Sequence, residues 1–547
     1  MAFRFDIEKA ALAAAFLLFL YMGPGALLGH GISHDYPFGY LASDAFQHQT
    51  RAEAIKDAGN FRYEANYISK GFEDAVGRYP PLLYHIAVVF SYASGLEVYD
   101  SIYFSVLFFS VITLFLMYFL IRGFSRHVAL MSLPLAMLIF SQPPIIGFLW
   151  GHWPSILSQC FLILVFWGFS NISLENSYVF ISIAMAAIIM THTSEAVFAA
   201  LFIVMFFPIA LAGKTLKKSD MKNALIALGI ALAAAFYYLI IFFNTWAKGQ
   251  PYHFTVEPVW QGNPGFYIMG FSALLIIMAA GMVFSVLKWR SMHVSLIAGF
   301  AMRIAGFLNY IGFSLRSFQV RFFWPIYLSV FLGFGSYALL KLFLKKFNVY
   351  YSVSIMVVLS VATFGFVNIP FVPHYSALSG QSIMDPYHWE MLGWIAENTP
   401  KSSLAYFFYG DIYDQDALLR NSKRVHYQLR TQEAIDSINQ RLVKRNYLSE
   451  LPGDSGGSIS VRTGLFDFKD VTADKPYEYF LGPQDICRFD YLVFDKVSGQ
   501  PALAQYNLLI ASELAKKDFI SIAFENEVSI VLKNSKPGED CIEEGNF

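Results

Sequence analysis

A polytopic α-helical membrane protein with a C-terminal extracytoplasmic α/β domain is the fold class this sequence predicts. Three observations lead there. Of 547 residues, 56% are hydrophobic and only 14% charged, against about a quarter charged in ordinary soluble chains. Apolar runs of the length a bilayer demands, about 20 residues per helix, recur from residue 10 to residue 369. Beyond residue 370 hydrophobicity drops and the short strand and helix patterns of a soluble domain take over.

Eleven spans are read: 10–29, 101–121, 127–145, 153–170, 178–192, 194–213, 223–243, 265–287, 293–313, 322–344 and 350–369. Arg4 and Lys9 before the first run suggest a signal peptide. However, YMGPGALLGH is a poor small-residue cleavage site and many further runs follow, so a retained helix is the better reading. Lys and Arg concentrate in short cytoplasmic loops. RGFSRH (122–127), KTLKKSDMK (214–222), KWR (288–290) and KKF (345–347) alternate correctly if all four face the cytoplasm. The N-terminus is then cytoplasmic, and everything after residue 370 lies outside.

That parity makes a local prediction for YPPLLYHIAVVFSYASGL, residues 79–96. It must begin and end outside, as a half-inserted or interfacial helix opened by Pro80 and Pro81; a true span would reverse all later loops. The chain therefore divides into a membrane core, 1–369, that includes an outer loop 30–79, and an extracytoplasmic α/β domain, 370–547. In the latter, PYHWEMLGWIAENTP reads as an amphipathic helix closed by Pro400, and TQEAIDSINQRLVKR as a second helix. DYLVFD is a strand, SIAFENEVSIVLK a hairpin turning near Asn526-Glu527, and ALAQYNLLIASELAKK a further helix. Of three cysteines, Cys160 lies in an apolar run, so only Cys487 and Cys541 could pair, and two cysteines make no framework. A net charge of −1 and the lack of a basic cluster argue against nucleic acid.

Ionisable groups at membrane depth are costly and point to function. On this topology they collect at one face. Asp44 and His48 lie on the first outer loop, His152 in LWGHWP, and His192 and Glu195 in MTHTSEA. His253 and Glu257 stand in PYHFTVEP, and Arg316 and Arg321 in LRSFQVRFFWP. Such a set suits the anionic head of a lipid-linked substrate. SDAFQHQTRAEAIKDAG reads as a helix capped by Ser43 or Asp44 and ended by Gly59. Asp44 and His48, four apart, share a face of it. The carboxylate can take a proton from an attacking hydroxyl, or the pair can hold a divalent cation through oxygen and nitrogen. The plainer alternative is that Asp44 caps and His48 is solvated.

The planar guanidinium of Arg321, at the mouth of a span, suits phosphate; snorkelling to lipid headgroups accounts for it equally. His152 and His192 also read as packing histidines, and Glu195 as a simple partner of His192. GDIYDQD places Asp411, Asp414 and Asp416 in one loop, either a calcium loop without full ligand spacing or a solvated turn. Asn171-Ile172-Ser173 is a glycosylation sequon on the predicted cytoplasmic side.

Taken together, these residues resemble the GT-C superfamily of integral membrane glycosyltransferases. SDAFQH looks like the family's Asp-bearing first outer loop, and RYPPLLYHI like the stretch that follows it. RFFWP supplies an outward arginine, and HWEMLGWIAENTP is similar to the segment before the WWDYG motif of archaeal oligosaccharyltransferase catalytic subunits. Where those subunits read WWDYG, this chain reads YFFYGDIYD, and a single Asp with a His replaces a paired Asp-x-Asp.

The resemblance implies inverting transfer of a sugar or glycan from a polyprenyl-(di)phosphate to an extracytoplasmic protein, lipid or glycan acceptor. It implies Asp44 as base, with His48 orienting it or helping to hold Mg or Mn. Arg321, Arg316 and His192 would cradle the donor phosphate, with Tyr79 and Tyr84 on the floor beside it. His152, Glu195, His253, Glu257, Tyr409 and Asp411 are left for acceptor or accessory roles. The rival readings are a transporter or flippase of a lipid-linked or anionic substrate, and a non-catalytic lipid-binding subunit of the same fold. Transporters of this kind often show internal repeats and midplane charges; no repeat is found here.

Overall fold

Backbone polar groups inside a bilayer must be satisfied within their own segment, and helices accordingly dominate the first part of the molecule. The computed structural model describes residues 6–27, 35–59, 79–140, 144–247, 272–287, 296, 320–344, 347–364, 383–408, 410, 412–413, 416–428, 486–497 and 501–541. The chain divides into two compact units, Met1–Leu28 with Arg78–Phe371 and Gly29–Gly77 with Val372–Phe547. The first outer loop, grouped with the membrane core on sequence, thus folds with the C-terminal residues. Ile383 donates its N–H to the Tyr40 carbonyl at 3.1 Å, and the Lys423 ammonium meets Asp57 at 2.5 Å.

The first unit contains α1 (Ile7–Leu27) and, after α2 (Ser43–Ala58) of the second unit, α3 (Leu82–Ser94), α4 (Val98–Arg122) and α5 (Arg126–Ala136). There follow α6 (Pro144–Leu149), α7 (Trp153–Ser170), α8 (Ser177–Ile189), α9 (Thr193–Ala212), α10 (Lys218–Ala234) and α11 (Phe236–Ala247). α12 (Ser272–Leu287), α13 (Val320–Phe343) and α14 (Val349–Phe364) complete it. All the expected runs except 293–313 fall on these helices; that one, but for Leu296, lies outside the described residues. Among the described residues, four helices are long and apolar enough to cross a bilayer: Val98–Arg122, Trp153–Ser170, Glu195–Ala212 and Pro325–Phe343. A fifth would be Lys218–Ala234 with Phe236–Phe243, bent by 66°.

Local contacts set the helix directions. Tyr103 of α4 lies 6.0 Å from Trp153 of α7, and Phe109 lies 5.7 Å from Phe161, so these two helices run parallel. Short turns join α7 to α8 and α8 to α9, which returns α9 to the direction of α7. The starts of α4, α7 and α9 therefore share one end of the bundle. α3 begins there too: Leu82, just past Pro80 and Pro81, donates to the Met190 carbonyl in the α8–α9 turn at 2.8 Å. It stops at Gly95, whose φ of 75° is left-handed, and feeds straight into α4.

The opposite end is the basic one. There Arg122 Nε meets Glu8 at 2.5 Å, Tyr118 donates to the same carboxylate at 2.6 Å, and Ser173 donates to Asp220 at 2.8 Å near Lys217 and Lys218. Backbone-to-backbone packing holds α13. A methyl group on Gly333 would overlap the Val128 carbonyl of α5, and one on Gly281 or Gly335 would overlap a carbonyl across the α12–α13 contact.

The second unit is built on a five-stranded mixed sheet. Its strands are β1 (Leu404–Phe407), β2 (Val425–Gln428), β3 (Tyr491–Asp495), β4 (Ile520–Glu525) and β5 (Ser529–Asn534), in the order β2-β1-β3-β5-β4. β1 is parallel to β2 and β3, while β3–β5 and β5–β4 are antiparallel. Every residue of the central β3 is buried, as expected of a strand covered on both faces. The hairpin turns at Asn526, whose side-chain oxygen accepts from the N–H groups of Val528 and Ser529. The helices are α15 (Pro386–Asn398), α16 (Asp416–Leu419) and α17 (Pro501–Leu514). Phe408 and Phe494 stack at 4.0 Å within the core. Cys487 and Cys541 form a disulfide 54 residues apart in sequence, with Cα atoms 5.5 Å apart. The helix expected over TQEAIDSINQRLVKR lies outside the described residues.

Candidate functional site

In the second unit, α2 presents Asp44 in its first turn, exposed, and His48 one turn later, buried. The cap position is Ala42, in extended conformation, and neither Ser43 nor Asp44 fills it, contrary to the sequence expectation. The chain enters the helix one residue earlier, so Asp44 stands among the unpaired N–H groups of the first turn, where the helix dipole favours a negative charge. Gly59 ends the helix as expected, with φ 63° and its N–H shared between the Ile55 and Lys56 carbonyls. Gln49, fully buried next to His48, has no hydrogen-bond partner for either amide atom among the described residues.

In the first unit, the end where α3, α4, α7 and α9 begin carries a polar cluster. His192 precedes α9 and Glu195 occupies its first turn. His192 Nδ1 bonds one carboxylate oxygen of Glu195. The other oxygen accepts from Ser155 Oγ at 2.8 Å and Gln159 Nε2 at 3.3 Å, both on α7. Glu195 is only 2% exposed, whereas the His192 side chain keeps 18% of its surface open. His152 sits just ahead of α7, its ring 6.4 Å from Trp150. Tyr84, in the first turn of α3, is buried, and Tyr79 is partly exposed. Sequence reasoning named His192 and Glu195 but missed Ser155 and Gln159. Their signal was a polar pair four residues apart in a largely apolar helix.

A second buried network, not foreseen, lies in the C-terminal domain. Asp385 caps α15, accepting from the N–H groups of Tyr387 and His388 at 3.0 Å, and its other oxygen meets His388 Nδ1 at 2.5 Å. His388 Nε2 reaches Asp495 at 3.0 Å, and Ser529 donates to that carboxylate at 3.1 Å. Burial opposes a charge on His388, but Asp495 and Asp385 outweigh it and push the imidazole up to about 10. Burial, then Asp495, raises the neighbouring Tyr413 phenol.

Asp416 is neither a calcium ligand nor a solvated turn. It is buried, 2.7 Å from Arg420 Nε and 3.0 Å from His426 Nε2. Arg321 is the second residue of α13. Arg316, His253, Glu257, Tyr409, Asp411 and Asp414 lie outside the described residues. Among the described residues, no three His, Cys, Asp or Glu side chains converge in a way that could hold a metal. Asp44 and His48 thus supply two donors, fewer than the three protein ligands of an open catalytic zinc site.

Neither a protein-family model nor a curated protein sequence matches the chain; solved structures do, in fold. The chain shares its fold with an archaeal oligosaccharyltransferase, ArnT and an arabinofuranosyltransferase. The archaeal oligosaccharyltransferase AglB from Archaeoglobus fulgidus, solved with an inhibitory peptide and a dolichol-phosphate, matches with a TM-score of 0.52 at 11% identity. That match covers 77% of this chain and 64% of AglB, so the chain spans less than two thirds of that relative. The same archaeal enzyme has been solved with Zn and sulfate. ArnT from Cupriavidus metallidurans, bound to undecaprenyl phosphate, matches with a TM-score of 0.52 at 11% identity over 95% of this chain and 97% of its own. Arabinofuranosyltransferase AftD from Mycobacteria matches with a TM-score of 0.54 at 12% identity, over 96% of this chain and 40% of its own.

Proposed function

We propose that this protein is a cell-membrane glycosyltransferase. It moves a sugar or glycan from a polyprenyl-(di)phosphate donor to an extracytoplasmic acceptor by inverting displacement. One observation carries the reading: the fold likeness runs nearly end to end with ArnT, a protein solved with undecaprenyl phosphate. The basic end of the first unit is then cytoplasmic, and the end where α3, α4, α7 and α9 begin is external. A disulfide in the C-terminal domain suits the oxidising side.

On this reading Asp44, exposed on the first turn of α2, is the general base. It takes the acceptor hydroxyl proton as the acceptor oxygen bonds the anomeric carbon, and the phosphate leaves from the opposite face with the electron pair of the broken C–O bond. A phosphate leaves without a general acid, so the protein's work is positioning and charge stabilisation. His48 orients Asp44. Arg321, Arg316 and His192 bind the donor phosphate, with Tyr79 and Tyr84 beside them. His152, His253, Glu257, Tyr409 and Asp411 serve the acceptor. Were Mg or Mn bound, Asp44 and His48 would be its ligands from α2, and it would neutralise phosphate charge.

The test is Asp44→Asn in membranes supplied with a radiolabelled polyprenyl-phosphate sugar. Transfer falls about 10²–10⁴-fold, the range for loss of a general base, while thermal unfolding is unchanged. Undiminished transfer would remove Asp44 from the chemistry. If the wild type transfers nothing yet moves a lipid-linked sugar across vesicles, the transporter reading replaces this one.

A further inference from the structure

Glu195 is a carboxylate within a membrane-depth helix, and the expense of such a group calls for a use. Its three neighbours give it one. Ser155 Oγ and Gln159 Nε2 both point donors at one oxygen, and His192 Nδ1 occupies the other. Ser155 and Gln159 are four apart on α7 and themselves joined at 3.1 Å, so they form a rigid shelf under the carboxylate. A ring bonded to Glu195 through Nδ1 turns its Nε2 away from the carboxylate. The ring is thereby fixed with Nδ1 inward. Nε2, on the partly exposed edge, makes no hydrogen bond to any described residue.

What lies around this edge is suited to an anion. The first turns of α7 and α9 start side by side, and Leu82 ties the start of α3 to the turn before α9. Three helix N-termini thus open at the same end of the bundle, each with unpaired N–H groups and a positive dipole end. The histidine stands at their junction. A neutral imidazole with Nδ1 protonated would offer only a lone pair there. An imidazolium offers an Nε2–H donor instead.

We infer that Glu195 is a positioning residue. Seated on Ser155 and Gln159, it holds His192 so that Nε2–H donates to an oxygen of the donor's lipid-linked phosphate. Glu195 itself touches no substrate; it acts through the ring. This rests on the reading above that the donor is a polyprenyl phosphate, and it moves Glu195 from an accessory of the acceptor to the donor half of the reaction.

The experiment measures binding of undecaprenyl phosphate to the detergent-solubilised full chain, by ligand-induced thermal shift, beside transfer kinetics. Glu195→Gln keeps the shape and one hydrogen bond but removes the charge. It should weaken lipid-phosphate binding about tenfold, the size of one charge-assisted hydrogen bond, and raise KM for the lipid donor while leaving KM for the acceptor unchanged. His192→Phe should do the same, and the double variant should be no worse than His192→Phe alone, because both remove one donor. Ser155→Ala should give a smaller loss of the same kind. Losses that multiply in the double variant, or wild-type donor binding by Glu195→Gln, would overturn the inference while leaving the transferase reading intact. Asp44→Asn separates the two: it should bind the lipid phosphate as the wild type does while its transfer falls about 10²–10⁴-fold. A wild type that neither binds the lipid phosphate nor transfers sugar would sink both.

Discussion

Two helix starts in this molecule carry the same local pair, a histidine and an acid three residues apart, and use it differently. At α9 the pair is His192 with Glu195; at α15 it is Asp385 with His388. In both, the imidazole turns Nδ1 to the carboxylate. The His192 side chain keeps 18% of its surface open, and its acid is supported from α7. The His388 side chain keeps 2%, and Asp495 of β3 closes over its other nitrogen. The pair at α9 keeps an open edge, whereas the pair at α15 joins a helix to a sheet. Spacing alone does not separate an open histidine from a sealed one; the second acid does.

The largest effect should come from breaking the sealed pair. His388→Ala leaves Asp385 and Asp495 buried without their cation, a loss of about 3–5 kcal/mol, seen as early melting and protease cleavage of the C-terminal domain. Next is the Cys487–Cys541 bridge, which closes the same domain. Replacing both cysteines by serine should cost about 2–4 kcal/mol by the same melting assay.

A pH signature follows. The His388 pKa is raised from an ordinary 6.5 to about 10, so the stability it contributes is fully present below pH 6.5 and is lost as pH rises through about 10. For Asp416, burial pushes upward, but His426 and Arg420 hold it down to about 2 from an ordinary 3.8. Its contribution is present above 3.8 and disappears as pH falls through about 2. Melting temperatures measured from pH 2 to 11 should therefore decline on both sides of a plateau; a curve flat through the alkaline limb would contradict a charged His388. The smallest stability effect belongs to the open pair. His192→Phe should shift unfolding by less than about 1 kcal/mol, although it weakens donor binding.

Much of the fold was legible because it is written locally. The helix at 82–94, the helix at 386–398, the buried strand 491–495 and the hairpin at Asn526 all stand where patterning and turn chemistry put them. Gly59 ends α2 because only a left-handed residue finishes it there. The errors share a different cause. Loop 30–79 was grouped with the core because it adjoins the first span in sequence, yet Tyr40 and Asp57 bond to Ile383 and Lys423. Asp416 looked solvated among its loop neighbours until His426, arriving on a separate strand, met it. Ser155 and Gln159 carry only a faint local signal, and their partner Glu195 arrives on another helix.

From the sequence alone came the apolar runs and the start and stop of most elements, since hydropathy, periodicity and turn residues act over a few neighbours. Tertiary structure alone decided which polar groups meet. Glu8 with Arg122, Ser155 with Glu195 and His388 with Asp495 are pairs separated by 114, 40 and 107 residues. A hydrogen bond between residues that distant leaves no local trace, because each partner's own neighbourhood is compatible with many others until packing selects one.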